Sequence, residues 1–170
     1  MIVFLIGYMG SGKSTIGKKL SKALKFDFID LDDFIEKSEN RTISKIFEQE
    51  GEAGFRGLEQ KHLIFLKDYN NIIVSTGGGT PCFYDNMDFM NKFGHTVYLE
   101  MDVRSLCFRL KHSKKDRPLI YGKSDYELFK FVTQHIMERI EFYQQSKLTV
   151  NAMGFDDLKI ELLADQLRLI

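Results

Sequence analysis

The 170 residues are 44% apolar and 28% charged, enough for one domain, 1–170, with a real hydrophobic core. Lysine plus arginine equals aspartate plus glutamate at 24 each, so no net field marks nucleic acid or a membrane surface as a partner, and neither is expected. Cys82 and Cys107 set up no disulfide framework, and no apolar run approaches the ~18 residues of a membrane span; the expectation is a cytoplasmic monomer.

Ile2 to Ile6 is a continuous apolar run and reads as a strand covered on both faces. After the glycine-rich stretch that follows, Ile16, Leu20 and Leu24 recur every fourth residue, which predicts a helix over 12–24. The segment FDFIDLDD predicts a short strand ending near Asp30, with Asp33 capping the next helix. Helices are expected over 34–37 and 43–49, the second capped by Thr42, and again over 59–67 until Asn70-Asn71 breaks the pattern. Strands follow at 72–75 and 96–99, then a helix starting at Asp102 and a polar stretch leading to Pro118. A long helix over 125–145, a fifth strand at 148–150 and a closing helix over 155–167 complete the chain. Strands alternating with helices predict an α/β fold built on a parallel sheet.

The stretch GYMGSGKST fits G-x-x-x-x-G-K-[ST] with Gly7, Gly12, Lys13 and Ser14, and it sits where that motif requires, between a strand and a helix. Glycines let successive N–H groups turn inward around a phosphate, and the helix N-terminus faces the same anion. Gly10, Ser11, Gly12, Lys13, Ser14 and Thr15 are therefore assigned to a nucleotide's phosphates, with Lys13 on the β/γ-phosphates and the Ser14 hydroxyl on Mg2+. Asp30 and Asp32, at the carboxyl end of the second strand, lie on the side where open α/β sheets bind ligands. Both face the crevice if the strand period continues to its tip, and two carboxylates could divide the work of positioning Mg2+ and an acceptor hydroxyl.

Gly77, Gly78 and Gly79 end the third strand and allow a ligand close to the backbone, which suits the wall of an acceptor pocket. Arginine forks fit carboxylates and phosphates. Arg56 (with Glu59 three residues on to orient it), Arg109, Arg117 and Arg139 are the candidates: a small acidic acceptor would justify two of them, and developing phosphoryl charge a third. The segment KHSKKDRPLIYGK, 111–123, has the make-up of a lid over ATP. His62, His95, His112 and His135 are far apart with no zinc-binding spacing, and Cys107, Phe83, Tyr84, Phe89 and Phe93 read mainly as packing residues.

GYMGSGKSTIGKKLS, FIDLDDFIE, the GE-x-x-FR-x-x-E pattern from Gly51 to Glu59, STGGG, Arg117-Pro118-Leu119 and E-R-x-x-x-Y from Glu138 to Tyr143 together resemble the shikimate kinase family over essentially the whole chain. The resemblance implies a three-layer α/β/α P-loop kinase fold with a five-stranded parallel sheet in the order 2-3-1-4-5. It also implies a substrate-binding helical region over 33–60 and transfer of the γ-phosphoryl of ATP to the 3-hydroxyl of shikimate, with Mg2+. By position, Lys13 and Ser14 would serve ATP and Mg2+, with Asp30 near the metal through water. Asp32 would hold the shikimate hydroxyls and act as the base, while Arg56 and Arg139 would grip the carboxylate. Gly77, Gly78 and Gly79 would line the ring, Arg117 would reach the transferring phosphate, and Arg109 would lie by adenine. A gluconate- or nucleotide-phosphorylating relative, an ATP-hydrolysing module without an acceptor and a silent homologue are the alternatives.

Overall fold

The computed structural model describes residues 1–113 and 118–170. A five-stranded sheet is built from β1 (Ile2–Ile6), β2 (Asp27–Asp30), β3 (Ile72–Ser75), β4 (His95–Glu100) and β5 (Leu148–Asn151). The order across it is β2-β3-β1-β4-β5 and every neighbouring pair is parallel. β1 is central, and all five of its side chains are buried, which is why its sequence is apolar without alternation. The edge strand β5 alternates half-buried with exposed residues instead.

The helices are α1 (Lys13–Leu24), α2 (Leu31–Glu39), α3 (Ile43–Phe65), α4 (Asn86–Phe93), α5 (Val103–Lys111), α6 (Asp125–Met137), α7 (Ile140–Tyr143) and α8 (Asp157–Arg168). They cover the sheet as outer layers: α1 packs on β2, β3 and α8, α4 on β4, and α5 on α6. Ile16 and Leu20 carry the buried stripe of α1 as the periodicity predicts, with Gly17 fitting tightly against Phe28 and Leu5. All connections bring the carboxyl ends of the strands to one edge, where the phosphate loop emerges.

The structure corrects four expectations. Asp33 does not cap α2: the helix begins at Leu31, and the Asp30 side chain caps it by accepting from Asp32 N at 3.2 Å. Asp32 therefore stands in the first helical turn and not at a strand tip. Thr42 does cap α3, accepting from Lys45 N at 3.3 Å, but α3 runs on through 50–58, kinked at Gly51, whose φ of +68° suits a residue without a side chain. The expected helix over 125–145 is two, because Glu138 and Arg139 separate α6 from α7. Lastly, Tyr84 and Phe93 are exposed at 54% and 41%, so they are not core.

Candidate active site

The phosphate loop is held open by backbone that L side chains rarely adopt. Gly12, at φ +98°, precedes α1 directly, so the first N–H groups of the helix face into the loop. Lys13 is buried and donates to the carbonyls of Gly7 at 2.7 Å and Tyr8 at 3.0 Å, lying back across its own loop. Ser11 is fully buried, and its N–H donates to Tyr8 O at 3.2 Å. The Arg109 guanidinium comes from the last turn of α5 and stands 3.4 Å from the carbonyl oxygens of Gly10 and Ser11.

These groups border a cavity of about 500 Å³. Gly10, Gly12, Lys13, Ser14, Thr15 and Arg109 line it together with Asp30, Asp32, Gly77 and Gly78. Ser14 Oγ donates to Asp30 Oδ2 at 2.6 Å and lies 3.3 Å from Ser75 Oγ. A hydroxyl and a carboxylate this close are hard oxygen donors of the kind Mg2+ takes alongside phosphate oxygens and water. No group of three or more His, Cys, Asp or Glu capable of holding a metal occurs among the described residues. A P-loop site does not need one, since much of its coordination comes from the nucleotide.

The glycine cluster leads from this cavity to the two arginines. A Cβ on Gly77 would fall 2.7 Å from Glu59 Oε1 and 3.5 Å from Asp32 Oδ1, and one on Gly79 would fall 2.7 Å from an Arg56 nitrogen. Gly79 thus abuts Arg56 and is not among the residues lining the cavity. Arg56 is fixed on several sides: by Glu59 Oε2 at 2.6 Å, by Glu52 Oε1 at 3.0 Å, and by the Phe83 ring 4.2 Å from its Cζ. Glu59 is fully buried and its other oxygen accepts from Thr80 Oγ1, so one carboxylate ties α3 to the turn after β3. Burial works against the Arg56 charge, but Glu59 and Glu52 outweigh it and raise the pKa further.

Arg139 sits at the break between α6 and α7, its Cζ 5.8 Å from the Tyr8 ring and one nitrogen 3.1 Å from His135 Nε2. Among the described residues no carboxylate lies within 4.0 Å of it. Tyr143 Oη donates to Gly78 O at 2.6 Å, pinning the glycine backbone from beneath. Cys82 feels both arginines, yet burial dominates and pushes its thiol up to about 11.

The structure therefore brings Lys13, Ser14, Asp30, Asp32 and Arg109 around one cavity, and Arg56 and Arg139 beyond its glycine wall. Arg117, with 114–116 of the lid segment, lies outside the described residues. Sequence reasoning missed Thr80, Tyr8 and His135. Thr80 follows the glycines directly and could have been suspected, whereas nothing local to Tyr8 or His135 links the two.

A parallel sheet in this order, with a phosphate loop after its first strand and carboxylates beside it, defines a P-loop phosphotransferase. A family model for shikimate kinase matches residues 9–161. The chain is 45% identical over 155 residues to a shikimate kinase of Bacteroides thetaiotaomicron, covering 91% of this chain and 89% of the relative. A crystal structure of shikimate kinase from that organism superposes with a TM-score of 0.90 at 43% identity, covering 99% of this chain and 97% of the other. A shikimate kinase from Acinetobacter baumannii, in complex with shikimate, gives 0.81 at 30% identity, over 97% and 89%. The chain belongs to the shikimate kinase family.

Proposed function

We propose that this protein transfers the γ-phosphoryl group of ATP to the 3-hydroxyl of shikimate, giving shikimate 3-phosphate and ADP. The observation that carries the reading is the continuity of two unlike half-sites. A phosphate cavity bordered by Lys13, Ser14, Asp30 and Asp32 passes, at Gly77 and Gly78, to two arginines of which one has no carboxylate among the described residues. A hydroxylated carboxylic acid answers both halves: its hydroxyl lies toward Asp32 and its carboxylate toward Arg139 and Arg56.

In the reaction the acceptor oxygen forms a bond to the γ-phosphorus while the bond to the β–γ bridging oxygen breaks. Transfer through a loose transition state asks the protein chiefly for positioning and charge. Lys13 exchanges its loop carbonyls for the β/γ-phosphates. Asp32 orients the attacking hydroxyl and is the group assigned to take its proton. Gly10, Ser11, Gly12, Ser14 and Thr15 hold the phosphates, and Arg109 borders the nucleotide. Ser14 and Asp30 would hold Mg2+, which when bound neutralises charge on the phosphates. Arg117 and the segment 111–123 are assigned to a lid, and 33–60 to the acceptor side of a single domain, 1–170. No helix among the described residues is long and apolar enough to cross a membrane. A cytoplasmic monomer without nucleic-acid or membrane partners completes the proposal.

The test is ADP release from Mg·ATP by purified protein, with shikimate, gluconate, AMP or no acceptor. ADP formed only with shikimate, in step with shikimate 3-phosphate, is the expected result. Release indifferent to shikimate would make the protein an ATPase-type module and overturn the reading.

A further inference from the structure

Arg56 and Arg139 are fixed in opposite ways. Arg56 is oriented by two carboxylates, which also neutralise it. Arg139 is oriented by a histidine from the last turn of α6, four residues earlier, with Nε2 3.1 Å from the guanidinium. A guanidinium has only donors, so Nε2 must offer its lone pair. The ring is then neutral with its proton on Nδ1, and Nδ1 donates to the Tyr8 hydroxyl oxygen 3.1 Å away. The imidazole is held between rings, the Phe131 centroid at 4.7 Å and the Tyr8 centroid, edge-on, at 5.9 Å. Tyr143 adds a neutral hydroxyl beside Arg139. An uncharged acceptor orients the fork and leaves its positive charge uncancelled.

We propose that His135 is a positioning residue for acceptor recognition: its neutral ring links Tyr8 of the phosphate loop to Arg139 and presents that guanidinium, still fully charged, to the acceptor carboxylate. The inference rests on the reading of Arg139 as a carboxylate fork. It adds a proton dependence, because a second proton, on Nε2, would set donor against donor and cation against cation. The charged groups around the ring are Arg139 and Glu138 on its own segment and Glu52 and Arg56 from α3. Burial, then Arg139, hold the histidine below its ordinary 6.5; Arg56 acts in the same sense, and Glu138 and Glu52 oppose it. The contact is thus intact at neutral pH and is lost only in acid.

The experiment measures KM for shikimate and for ATP between about pH 5 and 8 in wild type, His135→Leu, His135→Gln and Arg139→Ala. H135L should raise KM for shikimate about 10-fold or more at neutral pH, the loss of one hydrogen bond to a charged group, with KM for ATP unchanged. The glutamine amide can accept from Arg139 and donate to Tyr8 without titrating. H135Q should therefore keep KM near wild type and lack the rise in KM expected of wild type in acid. The proposal is overturned if H135L leaves shikimate unaffected while R139A does not, or if H135Q retains the acid rise. It is also overturned if both histidine variants raise the two KM values equally, which marks a packing role. R139A without effect on shikimate would instead overturn the fork reading itself, and the role of His135 with it.

Discussion

Gly79 is a point where a single methyl group decides the geometry of the acceptor half-site. Its φ of −94° is ordinary, so alanine meets no backbone strain, but the added Cβ would fall 2.7–2.9 Å from three atoms of the Arg56 guanidinium. That group has little room to yield, because Glu59, Glu52 and the Phe83 ring hold it. Gly79→Ala is expected to raise KM for shikimate about tenfold while changing KM for ATP less than twofold, as read by steady-state kinetics. A variant with both constants equally impaired would show that the glycine serves the fold and not the arginine. Lys13 gives the complementary case. Lys13→Ala removes the charge proposed to meet the transferring phosphate, and kcat is expected to fall about 100- to 1000-fold. The roles at this scale differ in how visible they are in sequence. Lys13 and Ser14 belong to one contiguous motif whose geometry is local, so their place could be read directly. His135 and Tyr8 are 127 positions apart and meet only because α6 packs over the phosphate loop.

Helix α2 is joined to α3 by a clasp away from the catalytic crevice. Glu39 Oε1, in the last turn of α2, accepts from Lys61 Nζ at 2.9 Å and His62 Nε2 at 2.8 Å, and Arg41 Nη2 stands 3.6 Å from its other oxygen. The hydrogen bonds from Lys61 and His62 hold the carboxyl near 2, against an ordinary 4.5. Because the folded value lies below the unfolded one, the stabilisation is complete above pH 4.5 and is lost as the pH falls toward 2. Glu39 is only 17% exposed, but Lys61 reaches into solvent, so screening keeps the effect near that of a good surface pair, about 1 kcal/mol. Glu39→Gln should lower Tm at pH 7 by about 2–4 °C or less, and the difference from wild type should narrow between pH 4.5 and 2. A difference that stays constant over that interval would assign the effect to packing. The clasp depends on α3 continuing past Gly51, and this was the element least legible in the sequence. Gly51, Gly54 and Gly57 each lower helix propensity, yet Phe55, Glu59 and Leu63 are buried and tertiary packing prevails. The break at Glu138–Arg139 was hidden for the opposite reason: no glycine or proline marks it, and Ile136, Ile140 and Tyr143 keep a helical spacing across it.

At the level of the whole molecule, the strands and their alternation with helices were readable because each strand is a compact apolar run between polar breaks. The order of the sheet was implied only by family resemblance, since pairing is set by contacts between strands far apart in the chain. The crevice inherits that long-range origin: β1, β2 and β3 deliver its floor, while α3 and the α6–α7 break deliver the arginines. Ligands on the two halves should therefore report separately on global unfolding. A ligand at about 100 times its Kd stabilises the native state by about 2.7 kcal/mol, which for a chain of this size raises Tm by about 5–10 °C. Mg·ATP and shikimate should each give such a shift in wild type. Arg139→Ala should remove the shikimate shift and keep that of Mg·ATP, and Lys13→Ala should do the reverse. Thermal melts in which either substitution abolished both shifts would mean that the half-sites form only together, so that the crevice closes as one cooperative unit.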